Sequence, residues 1–254
     1  MAVYIDPQIE YTNEVNDNLT LIQRKTGLTF GTDALLLAGY IHHGEGMRAL
    51  ELGGGTGIIS LLLATRKKVG HITCVEVQPT YADLAVRNVT LNGLEASIDV
   101  VCADIRDYEA YGKAGEYDIV FSNPPYMKGD VPACKHEEKQ IARHEVHGGI
   151  ADFCGAAAKM LRWGGKYYCV WRPDRLVDLL AGMRESGIEP KRMTYVAADN
   201  EHAPSVVLVE GVRGGKSGLK ITKTLLIGKD IGEREDSPDM TYILNEGRFP
   251  REYE

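Results

Sequence analysis

The chain has 254 residues, 44% of them apolar and 26% charged, which is the balance of a globular protein with a real core. No run nears the ~18 apolar residues of a membrane helix, and the opening Met1-Ala2-Val3-Tyr4-Ile5-Asp6 has no basic region followed by an apolar one, so neither a membrane span nor a signal peptide is expected. A net charge of −7 argues against broad, nonspecific nucleic-acid binding, yet leaves room for a local basic patch.

In chain order, residues 32–42 predict a helix that Thr32 or Asp33 can cap, with Ala34, Leu35, Leu37, Ala38 and Ile41 on one face. Strands are expected over 47–53, 71–77, 98–105, 117–122 and 166–171, alternating with helices over 56–68, 79–92 (Pro79 at its start), 152–161 and 175–185. Such alternation makes a mainly parallel sheet with helices on both faces, whose ligands bind beyond the carboxyl ends of the strands. Two last strands, 192–197 and 206–212, are joined by a loop with no room for a crossover helix, so they should pair antiparallel. The five cysteines include no CxxC pair. Free thiols in a reducing cytoplasm are expected, with Cys74, Cys102 and Cys169 buried in strand-like runs.

Glu51-Leu52-Gly53-Gly54-Gly55-Thr56-Gly57 joins the first core strand to its helix. Glycines let backbone approach a ligand, and the helix N-terminus behind them favours an anion such as a carboxylate. Gly53, Gly55 and Gly57 are spaced GxGxG, whereas the dinucleotide fingerprint needs a glycine where Ile58 stands. A glycine turn with no ligand is the plain alternative. Glu76 ends the second strand, where an acid accepts from ribose hydroxyls. Asp104 ends the third and can accept from an adenine amino group, with Ile105 packing on the ring. Either acid alone could be a solvated strand end, but loop and acids follow successive strands in order.

Asn123-Pro124-Pro125-Tyr126 follows the fourth strand. The Asn123 side-chain oxygen and the Pro124 carbonyl can accept both hydrogens of a planar NH₂, and Tyr126 can stack on the attached ring. A delocalised amine is a poor nucleophile. Two acceptors can draw it toward tetrahedral geometry and aim its lone pair at an electrophilic methyl, so that positioning supplies much of the acceleration. A proline-stiffened turn is the alternative.

Glycine loop, acids and Asn-Pro-Pro-Tyr together resemble the class I methyltransferases that use S-adenosylmethionine to methylate exocyclic or amide nitrogen. Phe30-Gly31-Thr32-Asp33-Ala34-Leu35-Leu36-Leu37, Ala142-Arg143-His144-Glu145 and Leu208-Val209-Glu210-Gly211-Val212-Arg213-Gly214-Gly215-Lys216 are similar to the bacterial adenine-N6 methyltransferases acting on valine tRNA. The resemblance implies a Rossmann-like fold with a seven-stranded, mainly parallel sheet and an antiparallel C-terminal strand. It implies an N-terminal extension (1–46) packing on the cofactor site, a methyltransferase domain (47–230) and a C-terminal tail (231–254). Glu51, Gly53, Gly55, Gly57, Glu76 and Asp104 would hold S-adenosylmethionine, Thr32 and Asp33 would border its methionine end, and Asn123 to Tyr126 would hold the target amine. Arg143 would contact phosphate near the entrance. Arg213 and Lys216 form either an RNA-contacting loop or a solvated surface, and residues 127–139 either a lid or a solvated loop.

His136, His144 and His147 lie close together, but no Cys or acid completes a ligand pattern, so no metal is expected. The expected enzyme is a cytoplasmic monomer that methylates RNA, tRNA foremost. Protein glutamine, ribosomal RNA guanine and DNA adenine share the chemistry. The glutamine enzymes usually carry a separate N-terminal helical domain, for which residues 1–46 leave little room. A non-catalytic cofactor- or RNA-binding module and an NAD-dependent oxidoreductase are the rivals outside it.

Overall fold

The computed structural model describes residues 3–27, 29–42, 44–124, 149–228 and 235–254. A nine-stranded sheet forms the centre. Its long strands are β3 (Arg48–Leu52), β4 (His71–Glu76), β5 (Ile98–Cys102), β6 (Tyr117–Ser122), β7 (Leu161–Trp171), β8 (Ile188–Ala197) and β9 (Val206–Arg213), with the two-residue β10 (Lys220–Ile221) and β11 (Leu225–Leu226) both on β8. The order β10-β8-β9-β7-β6-β3-β4-β5 is parallel from β7 to β5. As its short loop requires, β9 runs antiparallel to β8, and it lies between β8 and β7.

Strand parity divides the core. Tyr168 and Val170 pack with α1 (Thr32–Tyr40), α2 (Ile58–Thr65) and α6 (Pro238–Glu246) on one face. Their neighbours Tyr167, Cys169 and Trp171 pack with α4 (Ile150–Met160) and α5 (Leu176–Glu185) on the other. A parallel sheet covered on both faces needs this double burial. The helix α2 is buried nearly all round, from Ile58 to Ala64, because it sits between α1 and the sheet. Lining the sheet beside it is α3 (Pro79–Leu91), with Pro79 at its first position.

Two expectations need correction, and both chain ends take definite form. Neither Thr32 nor Asp33 caps α1; Gly31 is the N-cap, without a side-chain bond. Cys102 is exposed, because β5 edges the sheet, while Cys74 and Cys169 are buried. Residues preceding α1 form a hairpin of β1 (Glu10–Asn16) and β2 (Leu19–Arg24), and β2 packs on α3. The C-terminal stretch is packed on the body: α6 buries Met240 and Ile243, and Phe249 and Tyr253 lie in the α1 core. Arg192 pins that end, donating to the Tyr253 and Tyr40 carbonyls at 3.0 and 2.8 Å and pairing with Glu210 at 2.8 Å. Among the described residues, no helix is long and apolar enough to cross a membrane.

Candidate active site

Register brings the motifs together. Leu52 pairs with Val75 on one side and Ser122 on the other, while Glu76 pairs with Cys102. The glycine loop, Glu76, Asp104 and Asn123 therefore leave the sheet at one edge, on strands ~4.8 Å apart.

Gly53, Gly55 and Gly57 all take left-handed backbone, with φ of 73°, 57° and 80°. Such angles strain any residue with a Cβ. At Gly55 an added Cβ would meet none of the described residues within 4 Å, so the loop backbone is open on that side among them. Gly54 has the opposite duty: a Cβ there would collide with Cys74 Sγ. The turn is drawn onto β4 by the N–H groups of Gly53 and Gly54, which both donate to the Val75 carbonyl, at 2.9 and 3.0 Å. Behind it α2 starts at Gly57 with no side-chain cap and no acid in its first turn. Its positive end is thus left for an anion.

The acids divide their work by parity. Glu51 shares the face of Ala49, toward α2. It is only 1% exposed, and its Oε2 accepts from both the N–H and the hydroxyl of Ser60. Burial lifts its pKa to about 7. Glu51 thus lies beneath the loop and braces α2. Glu76 does reach the loop. Its Oε2 accepts from the Gly55 N–H and its Oε1 from the Gln78 N–H, both at 2.8 Å. The Glu76 carboxylate thus sits against the backbone of the loop at Gly55. Asp104 is half-buried and takes a two-pronged contact from Arg106, with Nε to Oδ1 at 2.8 Å and Nη2 to Oδ2 at 2.5 Å. Ile105 beside it is buried, and its carbonyl accepts from the Tyr111 hydroxyl.

On β6, Ile119 and Phe121 face the α1 core. Asn123 continues that parity and meets the first turn of α1: its Nδ2 donates to Asp33 Oδ2 at 2.9 Å. Thr32 is exposed, Asn123 half-buried and Pro124 buried. Pro125, Tyr126, Arg143, the segment 127–139, Cys134 and the three histidines 136, 144 and 147 lie outside the described residues. Among the described residues, no group of three or more His, Cys, Asp or Glu is placed to hold a metal ion.

Arg213 and Lys216 are not at this site. Arg213 ends β9, which runs opposite to the parallel strands, and it donates to the carbonyl of Leu161, the first residue of β7. They therefore lie at the amino end of the sheet, several residues of strand (~3.3 Å each) from Asn123. With Trp163, Arg184 and Glu189, Arg213 lines a separate surface cavity of about 370 Å³.

Asn88 carries a role that the sequence reading missed. Fully buried on α3, it accepts from the Ile22 N–H at 2.6 Å and donates to the Ile22 and Thr56 carbonyls at 3.2 and 3.1 Å. One amide thus ties the glycine loop to the N-terminal hairpin. Its signal was a lone polar residue on the face formed by Tyr81, Leu84 and Ala85.

The surroundings fit S-adenosylmethionine. Open backbone and a helix N-terminus suit an amino-acid carboxylate, Glu76 suits hydroxyls, and Asp104 with Ile105 suits an adenine edge and face.

The family model described as "Methyltransferase small domain" matches residues 25–178. A Bacteroides fragilis protein named tRNA1(Val) (adenine(37)-N6)-methyltransferase is 28% identical over 190 residues, covering 75% of this chain and 79% of its own. A Flavobacteriaceae protein of the same name is 28% identical over 198 residues, covering 72% and 82%. Among solved structures, an Agrobacterium tumefaciens protein described as a predicted O-methyltransferase superposes with a TM-score of 0.69 at 23% identity, covering 85% of this chain and 97% of that one. At that identity the likeness speaks for the fold.

Proposed function

The chain belongs to the methyltransferase small domain family, and from that premise we propose that it methylates the exocyclic N6 nitrogen of an adenosine in tRNA. It is an enzyme of the class that takes its methyl group from S-adenosylmethionine. The carrying observation is the adjacency of Asn123 and the glycine loop, on the paired strands β6 and β3. When bound, the cofactor supplies a methyl already activated by its sulfonium. The protein's remaining task is to present the nucleophile.

Gly53 to Gly57 and the start of α2 would receive the methionine carboxylate, Glu76 the ribose hydroxyls, and Asp104 with Ile105 the adenine. Asn123 Oδ1 and the Pro124 carbonyl would accept the two hydrogens of the target amine, and Tyr126 would stack on its ring. Held this way, the nitrogen lone pair is localised and aimed, and positioning replaces general-base machinery. The adenine assignment leans on the names of the relatives above. With tRNA as substrate, the working compartment is the cytoplasm.

The test offers labelled S-adenosylmethionine with unmodified tRNA, ribosomal RNA and a release factor in separate reactions, and identifies the product by mass spectrometry. N6-methyladenosine in tRNA is expected. Transfer to a protein glutamine with none to RNA would overturn the substrate assignment and leave the chemistry standing.

A further inference from the structure

The side-chain amide of Asn123 has two unlike ends, and only the oxygen can accept a hydrogen from a target amine. Asp33 determines which end is presented. Its Oδ2 stands 2.9 Å from Asn123 Nδ2, across 90 positions of chain. An ionised carboxylate has nothing to donate, so only the NH₂ end of the amide can face it. The Asn123 oxygen is thereby turned away from Asp33. A partner able both to donate and to accept, such as an amide, would impose no such choice.

Asp33 is itself held in place. Its Oδ1 accepts from the Ala34 N–H at 3.0 Å. It sits in the first turn of α1, where the helix dipole favours a carboxylate. Leu36, Leu37 and Tyr40 bury that helix in the core. At Gly31 a Cβ would come within 2.7 Å of Asp33 Oδ1, so the residue before the helix leaves the carboxylate its room.

We propose that Asp33 is a positioning residue for methyl transfer: it orients the Asn123 amide so that the oxygen, not the nitrogen, meets the target amine. This rests on the reading of Asn123 as an acceptor for that amine. It gives Asp33 a different duty from bordering the cofactor.

A swap tests it. Asp33→Asn leaves an amide facing an amide, which permits both orientations of Asn123; kcat should fall about tenfold or more, with the KM for RNA and the affinity for S-adenosylmethionine within about threefold. Asn123→Asp sets two carboxylates together and should fall further, by roughly a hundredfold or more. Combining Asp33→Asn with Asn123→Asp restores one donor and one acceptor in reversed places, and the second oxygen of the new carboxylate can serve the amine. The double variant should therefore recover at least about tenfold over Asn123→Asp alone. A double variant no better than that single one would overturn the proposal. So would an Asp33→Asn enzyme with normal kcat and weakened cofactor binding.

The rates are measured on whichever substrate the wild type methylates, so a wrong choice of RNA does not decide the outcome. An NMR readout needs no substrate at all. The Asn123 side-chain NH₂ should exchange slowly in the wild type and quickly in Asp33→Ala. Equal exchange in both would overturn the orienting role even if tRNA proves to be the substrate.

Discussion

The two ends of the central sheet are built differently. At the carboxyl end, polar groups are locked to one another: Glu76 holds the Gly55 N–H, Glu51 holds Ser60, and Asp33 holds Asn123. At the amino end the polar side chains form surface ion pairs, such as Arg48 with Glu116 and Arg162 with Asp118, and a large aromatic is displayed. Trp163 is 75% exposed, and Lys216 is exposed as well. Ligand chemistry needs preorganised groups, and the carboxyl end gathers them around the open backbone of the glycine loop. A basic residue therefore belongs to a site by strand direction, not by closeness in sequence to a motif. Arg213 follows a strand that runs backwards and is carried away from the reaction site.

Gly54→Ala should break the carboxyl end most severely. Its Cβ would strike Cys74 Sγ in a closed interior. Overpacking of this kind costs about 1–3 kcal/mol, so thermal unfolding should come several degrees early. Adding Cys74→Ala should recover much of the loss; no recovery would place the cause elsewhere.

Glu76→Gln comes next. One of its oxygens becomes an NH₂ facing backbone N–H donors or a ligand hydroxyl. Affinity for S-adenosylmethionine, read by calorimetry, should fall about tenfold or more.

An effect of similar size, tied to pH, is expected at Glu51. Burial raises its pKa from 4.5 to about 7. The folded state then keeps a proton that the unfolded chain gives up, so stability declines as pH rises through that window and levels off above it. Glu51→Gln removes this penalty, on the order of 3 kcal/mol at most. Its Tm should exceed the wild type's by roughly 5 °C at pH 8 and match it near pH 4.5. A variant less stable at both pH values would contradict the burial account.

The smallest effect belongs to the amino end. Arg213→Ala with Lys216→Ala should leave kcat within about twofold and raise the KM for RNA modestly, by an amount that shrinks with added salt. A large loss of kcat would show that the amino end reaches the reacting base, and the contrast between the ends would fail.

Much of this was legible in the chain. Alternating apolar strands and helices set the sheet, and the short 198–205 loop implied the antiparallel pair. The same inference, carried one step further, would have moved Arg213 to the far end, since a reversed strand delivers its last residue there. The helix α6 also left a signal that went unread: Ser237 caps it, Pro238 opens it and Gly247 closes it. By contrast β1 hides, because its Glu-Tyr-Thr-Asn run carries no apolar alternation. The link from Asp33 to Asn123 was beyond reach. It depends on tertiary packing of α1 against the end of β6, and local patterns say nothing about two residues so far apart in sequence.

The account stands most directly on Asn123→Ala, with cofactor affinity and transfer rate measured on one preparation. Transfer should fall by about a hundredfold or more while the S-adenosylmethionine Kd stays within about threefold, because Asn123 holds the amine and the glycine loop holds the cofactor. Near-normal turnover in that variant would contradict the proposed chemistry at the carboxyl end.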